Sequence, residues 1–224
     1  MRLKIDLHVH TVYSDGSGTV EQVLDTARRR GLDGLAITDH NTVRAYYKAK
    51  TYHTRLLVLP GFEVHTDAGD VLVLGLEELL PRFDGWRFED LIRSARNRRG
   101  LTILCHPGIE RGMIHRWLRC KPDAVEVLNA SYPLMINVKR GWNVALKLGV
   151  PTVGGSDAHD PQVIGDAYTE VDVEKPCCKS VIESIKAGKV TWGGGLSPIS
   201  ARFRIGLNYV STKTLGTIRS RLRN

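Results

Sequence analysis

The chain has 224 residues, 42% of them hydrophobic and 25% charged, which is the make-up of a globular protein with a sizeable core and excludes a disordered or fibrous one. No apolar run reaches the roughly 18–20 residues of a membrane span, and MRLKIDLHVH lacks the apolar stretch of a signal peptide, so the expected compartment is the cytoplasm. The net charge of +8 is concentrated: residues 197–224 carry six basic residues (Arg202, Arg204, Lys213, Arg219, Arg221, Arg223) and no acidic one, leaving 26 basic against 24 acidic in 1–196.

In chain order, Leu3–Leu7 reads as a first strand. Thr19 stands as the cap of a helix with apolar positions Val20, Val23, Leu24 and Ala27, stopped at Gly31. Leu35–Thr38 is the next strand, a helix opens near Asn41, and strands Leu56–Leu59 and Val71–Leu74 flank a turn-rich Thr66–Asp70. A helix over Phe88–Arg99 ends at Gly100. Strands at Leu101–Cys105, Ala124–Leu128, Thr152–Gly154 and Ala167–Val171 then alternate with helical patterns near 112–119, 134–148 and 176–187. The alternation predicts βα units around a mainly parallel sheet or barrel, α/β in class. The domain expected is 1–196, with 197–224 as a basic appendage. The four cysteines (Cys105, Cys120, Cys177, Cys178) form no CxxC pair and read as free structural thiols.

The polar residues fall in a pattern on this framework. His8 and His10 end the first strand, Asp39 and His40 follow the second, and Glu63 follows the third. His106 comes after Leu101–Cys105, Asn129 after Ala124–Leu128, and Asp157 with His159 after Thr152–Gly154. In a β/α barrel the carboxyl ends of parallel strands gather on one face, so residues remote in sequence converge there. Imidazole and carboxylate together are the ligands of Zn, Mn or Fe. His8 and His10 alternate along a strand and so share one face, as do Asp157 and His159. Glu63 can bridge two cations, which suits a cluster rather than a single ion.

Five segments carry a resemblance: Asp6-Leu7-His8-Val9-His10-Thr11 with Ser14-Asp15-Gly16, Ile37-Thr38-Asp39-His40, Pro60-Gly61-Phe62-Glu63-Val64, Cys105-His106-Pro107, and Gly154-Gly155-Ser156-Asp157-Ala158-His159. In this order they resemble the PHP (polymerase and histidinol phosphatase) domain superfamily from residue 6 to about 195. The subgroup they most resemble is the stand-alone phosphoesterases, in which the Asp of SDG replaces a histidine. The resemblance implies a distorted (β/α)7 TIM-like barrel with two or three divalent metal ions (Mn, Fe or Zn). Carried over by position, the first ion is held by His8, His10, Glu63 and Asp157, the second by bridging Glu63 with His106, and the third by Asp15, His40 and His159. Family members often have a histidine where this chain has Gly69-Asp70. Asp70 as an oxygen ligand, His65 from the same strand face as Glu63, and a weakened second site are the alternatives there. Asp39 is expected to orient a ligand imidazole.

The implied activity is that of a metal-dependent phosphoric ester hydrolase, in which cations lower the pKa of a bridging water and the resulting hydroxide attacks phosphorus. Asp157, His159 and Glu63 are the catalytic candidates, and Arg44, Arg111, Lys139 and Arg140 are candidates for phosphate recognition. The substrate expected is a nucleotide or short oligonucleotide. The alternatives are a small-metabolite phosphatase, such as one for histidinol phosphate, and a non-catalytic nucleic-acid-binding subunit using the basic tail.

Overall fold

The computed structural model describes residues 1–81, 85–110 and 112–201. Arg111 and the six basic tail residues lie outside the described residues. Nine strands form one sheet in the order β7-β6-β5-β4-β3-β2-β1-β8-β9. They are β1 (Arg2–Val9), β2 (Gly34–Ile37), β3 (Leu57–Thr66), β4 (Gly69–Leu74), β5 (Leu101–Leu104), β6 (Ala124–Asn129), β7 (Thr152–Gly155), β8 (Ala167–Asp172) and β9 (Val190–Gly194). The helices are α1 (Val20–Arg29), α2 (Arg44–Ala49), α3 (Phe88–Asn97), α4 (Ile114–Arg119), α5 (Met135–Leu148) and α6 (Cys178–Lys186). The sheet curls into a nearly closed barrel of the α/β class expected. Its distortion comes from β4 and β8, which pair antiparallel with both neighbours and run against the other strands.

Local signals behave as physics dictates. Thr19 and Gln22 form a reciprocal capping box at α1, whose buried Val20, Val23, Leu24 and Ala27 face the barrel. The third strand is much longer than the expected Leu56–Leu59. It continues through Pro60 because its partner changes there: Ile37 of β2 pairs with Pro60, and Leu74 of β4 pairs with Gly61. A missing N–H costs the ladder little at such a handover. Glu63 therefore lies inside β3, opposite Leu72, rather than after the strand. Strand β9 has no counterpart among the elements expected from sequence.

The interior of the barrel is apolar below and polar above. Leu3, Ile5, Leu7, Leu59, Leu72, Leu74, Leu101, Ile103 and Val153 form one buried cluster with Val181 and Ile185 of α6. Helix α6 closes the lower mouth: Lys186 Nζ donates to the Gly100 carbonyl, and Ser184 Oγ to that of Asp172. Along β1 the pairing register shifts between Asp6 and Val9. An extra residue in a strand reverses which positions face inward. Here it lets Leu3, Ile5 and Leu7 point inward below while His8 and His10 take over above.

Between β7 and β8 a side chain replaces the backbone ladder. Thr169 Oγ1 accepts from Gly154 N (2.9 Å) and donates to Gly154 O (2.7 Å), fully buried. A Cβ at Gly154 would stand 2.9 Å from Tyr168 O, and one at Gly155 2.7 Å from both Glu126 Oε1 and the His8 Cβ. The two glycines are thus required by close approach at the seam. Thr169→Val keeps the shape and leaves both polar groups of Gly154 unpaired, so it is expected to cost about 1–3 kcal/mol, read by urea unfolding.

Candidate metal centre

The ends of β1, β2, β5 and β7, the upper part of β3 and the loop holding Asp15 bring eight side chains together above the apolar interior. The decisive group is Glu63, only 2% exposed. Its Oε2 lies 3.2 Å from His8 Nε2, 3.2 Å from His10 Nε2 and 3.5 Å from His40 Nδ1, while its Oε1 lies 3.5 Å from His106 Nε2. Asp157 Oδ1 is 3.4 Å from both His8 Nε2 and His10 Nε2. On the solvent side Asp15 Oδ2 is 3.2 Å from His159 Nε2 and 3.5 Å from His40 Nε2, and Asp15 Oδ1 is 3.5 Å from His10 Nδ1.

These contacts have the character of a ligand shell. Neither ring nitrogen of His10 has a hydrogen-bond partner although both are buried, and the same holds for His106 Nδ1. Buried polar atoms left unpaired are rare in folded proteins and call for an explanation such as an ion. Atoms bound about 2.1 Å from a common tetrahedral ion stand about 3.4 Å apart, which is the spacing found here. Three overlapping sets can each hold a cation: His8, His10 and Glu63; Glu63, Cys105 and His106; and His10, Asp15, His40 and His159. Their donors, imidazole and carboxylate in the main, fit a divalent transition metal.

The tautomers agree with this fit. His159 Nδ1 is 3.0 Å from the Asp157 carbonyl, which can only accept, so that nitrogen carries the proton and Nε2 is left for a ligand. His8 Nδ1 is 3.0 Å from Glu126 Oε1, which leaves His8 Nε2 toward Glu63 and Asp157 in the same way. Without a cation the charges compensate one another. Burial lowers the His106 and His159 imidazoles, but for His106 the bond to Glu63, and for His159 the bond to Asp15, with nearby Asp157 acting on both, raise each to about 9. Burial likewise opposes ionisation of Glu63 and Asp157, yet the facing imidazoles, His8 foremost, hold both carboxyls below their ordinary range.

The ligand-bearing backbone is itself constrained. His106 (φ 32°) and Asp157 (φ 53°) are non-glycine residues in the left-handed region, each costing of order 1–3 kcal/mol that the surroundings must offset. For His106 the surroundings are Glu126, whose Oε2 accepts from His106 N (3.1 Å) and Asn129 Nδ2 (2.9 Å). Asn129 Nδ2 also reaches Asp157 Oδ2 at 3.2 Å. Asp6 accepts from His8 N, Ser156 N, Ser156 Oγ and Gly165 N, tying β1 to the Asp157 loop. Burial pushes the Asp6 carboxyl up to about 6 against those four bonds.

Several expectations change here. Asp39 does not reach an imidazole: it accepts from Thr11 N, Thr11 Oγ1 and Ser14 Oγ, and so fixes the loop that presents Asp15. Asp70 Oδ2 lies 3.8 Å from His106 Nε2, whereas His65 is 83% exposed and bonds the far side of Asp70. Arg44 lies at the start of α2 with its guanidinium over the Tyr13 ring, two residues before Asp15. Lys139 and Arg140 are exposed on α5. Cys105 is buried, and burial pushes its thiol up, so it stays protonated. Glu126 is the functional residue that sequence reading missed; its position three before Asn129 on one strand was the available signal.

Comparison with known proteins decides the family. The PHP domain model matches residues 6–144, and the PHP-associated model matches 137–190. The chain belongs to the PHP family. An uncharacterized protein of Methanocaldococcus jannaschii is 32% identical over 57% of this chain and 82% of its own length. The phosphoribosyl 1,2-cyclic phosphate 1,2-diphosphodiesterase of Eggerthella lenta is 43% identical over 34% of this chain and 32% of its own. Among solved structures, a two-domain protein of Bacteroides vulgatus containing a predicted PHP-like metal-dependent phosphoesterase superimposes with a TM-score of 0.74 at 21% identity. That match covers 87% of this chain and 65% of the other. This PHP protein is accordingly a hydrolase of the metal-dependent phosphoesterase type. No helix among its described residues is long and apolar enough to cross a membrane.

Two outcomes follow from the geometry. Glu126→Gln is expected to weaken divalent-metal binding about 10–100-fold, measured by competition with a chromophoric chelator, while the metal-free fold persists by circular dichroism. The second concerns pH. An unfolded imidazole titrates near 6.5, about 2.5 units below His106 and His159 in the folded, metal-free site. Their stabilisation is complete below the unfolded value and lost as pH rises through about 9. The Tm of metal-free protein should therefore fall over that window, and saturating Mn(II), which replaces the protons, should flatten the profile.

Proposed function

We propose that the protein hydrolyses a phosphate ester of a nucleotide or short oligonucleotide at a cluster of two or three divalent cations. The observation that carries this reading is Glu63, whose two oxygens address different sets of imidazoles, His8, His10 and His40 on one side and His106 on the other. His8, His10, Glu63 and Asp157 would hold a first ion, Glu63 and His106 with Asp70 a second, and Asp15, His40 and His159 a third. Mn, Fe and Zn all suit these donors. Such cations, when bound, supply Lewis acidity that activates water and draws charge from the phosphoryl oxygens.

The residues supply placement. Glu126 and the Asp157 carbonyl fix the ring tautomers of His8 and His159, so that the ligand atoms are set before substrate arrives. Asp15 and His40 are the more exposed members, and they leave the cluster open to a phosphate from solvent. The apolar interior below, from Leu7 to Cys105, keeps bulk water from the inner side. A purely structural or nucleic-acid-binding role needs none of this, and the diesterase name of the Eggerthella lenta relative supports phosphate-ester chemistry.

The test uses metal-stripped protein reconstituted separately with Mn(II), Fe(II) and Zn(II). Substrates are p-nitrophenyl phosphate, histidinol phosphate, a nucleoside 3′,5′-bisphosphate and a 5′-phosphorylated RNA oligomer. Phosphate release should require metal, favour the nucleotide or RNA, and fall at least about 100-fold in His8→Ala and Asp157→Ala. Preference for histidinol phosphate would replace the nucleotide reading, and turnover surviving in both variants would refute the cluster.

A further inference from the structure

Helix α5 carries apolar side chains on both of its faces. The inner face, with Val138, Gly141, Ala145 and Leu148, is buried against the barrel. The outer face exposes Met135, Ile136, Trp142 and Leu146 together with Lys139, Arg140, Asn143 and Lys147, and no acidic residue. Other helices turn charge of both signs to solvent: Glu21, Asp25, Arg28 and Arg29 on α1, and Asp90, Arg93 and Arg96 on α3. A helix that is apolar all round is one that something covers on every side. The exposed apolar surface also continues past both ends of α5. Leu134 precedes the helix, and the loop carrying Ile109 abuts it, since Asn137 Nδ2 donates to the Gly108 carbonyl at 3.0 Å. At the other end a groove of 280 Å³ runs from Trp142 and Leu146 to Val150, Pro151 and Val190. Of the twelve large apolar side chains exposed among the described residues, six (Ile109, Leu134, Met135, Ile136, Trp142 and Leu146) lie in this one sector, so they form a patch and not a scatter.

Charge decides what can cover this patch. A second copy of the chain in a two-fold pair would set Lys139, Arg140 and Lys147 against their own counterparts, with no carboxylate on α5 to answer them. Residues 202–224 of the chain carry six basic residues and no acidic one, so they repel the patch as well. The complementary partner is negative. The layout of the face then separates a lipid surface from an acidic protein. Lys139 is three or four residues from Met135, Ile136, Trp142 and Asn143, and so stands among them at the centre of the exposed face. The centres of protein–protein interfaces are depleted in lysine. A lipid surface accepts one there, because the alkyl stem lies with the apolar side chains while the ammonium reaches the phosphate layer. Tryptophan beside basic residues suits the same boundary.

We propose that the outer face of α5, with the Ile109 loop and the groove beside Trp142, docks the protein on the surface of an anionic lipid membrane. The helix lies flat in the headgroup layer, with Met135, Ile136, Trp142 and Leu146 entering the acyl boundary and Lys139, Arg140 and Lys147 meeting lipid phosphates. This is adsorption on a membrane, which needs no helix long enough to cross one. The loop carrying Ile109 follows His106 directly, so the metal centre stands at the edge of the contact. The proposal is independent of which ester that centre hydrolyses.

The experiment sediments the full chain with vesicles of phosphatidylcholine alone and of equimolar phosphatidylcholine and phosphatidylglycerol, and follows tryptophan emission on the same samples. Wild type should bind the mixed vesicles, less tightly as salt is raised, with a blue shift of emission that Trp142→Phe diminishes. Met135→Gln combined with Leu146→Gln removes apolar surface without changing charge, and should weaken binding at least about tenfold. Lys147→Gln should weaken it about fivefold. All three positions are exposed, so melting temperatures near that of wild type should show the variants folded. Mixed-vesicle binding that survives the double variant unchanged would come from basic residues elsewhere in the chain and would overturn the proposal. Equal binding to both vesicle types, or binding to neither, overturns it too. A dimer in solution that the double variant dissociates would assign the patch to a second copy and overturn the membrane assignment.

Discussion

A buried carboxylate facing four imidazoles is the constraint on which this structure turns. Glu63 is almost wholly removed from water, and an isolated ion there would be expelled or neutralised. It is retained because His8, His10, His40 and His106 converge on its two oxygens from the ends of β1, β2 and β5. His8 and His10 are in turn too buried to carry charge without a carboxylate beside them. The cluster is thus stable only as a set, whether the positive charge is supplied by protons or by metal ions.

The scaffold is shaped to deliver that set. A register shift in β1 turns His8 and His10 inward directly above an apolar interior. Gly154 and Gly155 let the barrel seam and the Asp157 loop approach β1 more closely than any side chain would permit. Around the cluster, three further carboxylates each hold a piece of backbone: Asp6 the Asp157 loop, Asp39 the Asp15 loop, and Glu126 the strained His106. These supports come from chain segments far apart in sequence, so the precision of the centre depends on closure of the whole barrel.

Much of this was legible in the sequence because ligand residues carry local signatures. The HxH pair, Ser-Asp-Gly, Thr-Asp-His and Asp-Ala-His each sit beside a short apolar run, and the runs alternate with helical spacing. What was not legible depended on long-range pairing. The length of β3 was hidden by Pro60-Gly61, which reads locally as a turn but marks a change of partner. Strand β9 was hidden by its glycines and is held by β8. Glu126 was missed because an acid between Val125 and Val127 looks like the solvent-facing position of an amphipathic strand, whereas in a barrel that face is the interior. Asp39 was given an imidazole partner on sequence proximity to His40, and tertiary structure gave it the neighbouring loop instead.

The central claim is that these eight side chains are one metal-binding unit. Diffraction from Mn(II)-soaked crystals, collected to maximise the anomalous signal of manganese, tests it most directly. The account predicts anomalous peaks at bonding distance from His8, His10, Glu63 and Asp157, and from Glu63 and His106. Well-ordered crystals at saturating Mn(II) with no peak among these residues, or with peaks confined to other surfaces, would contradict it.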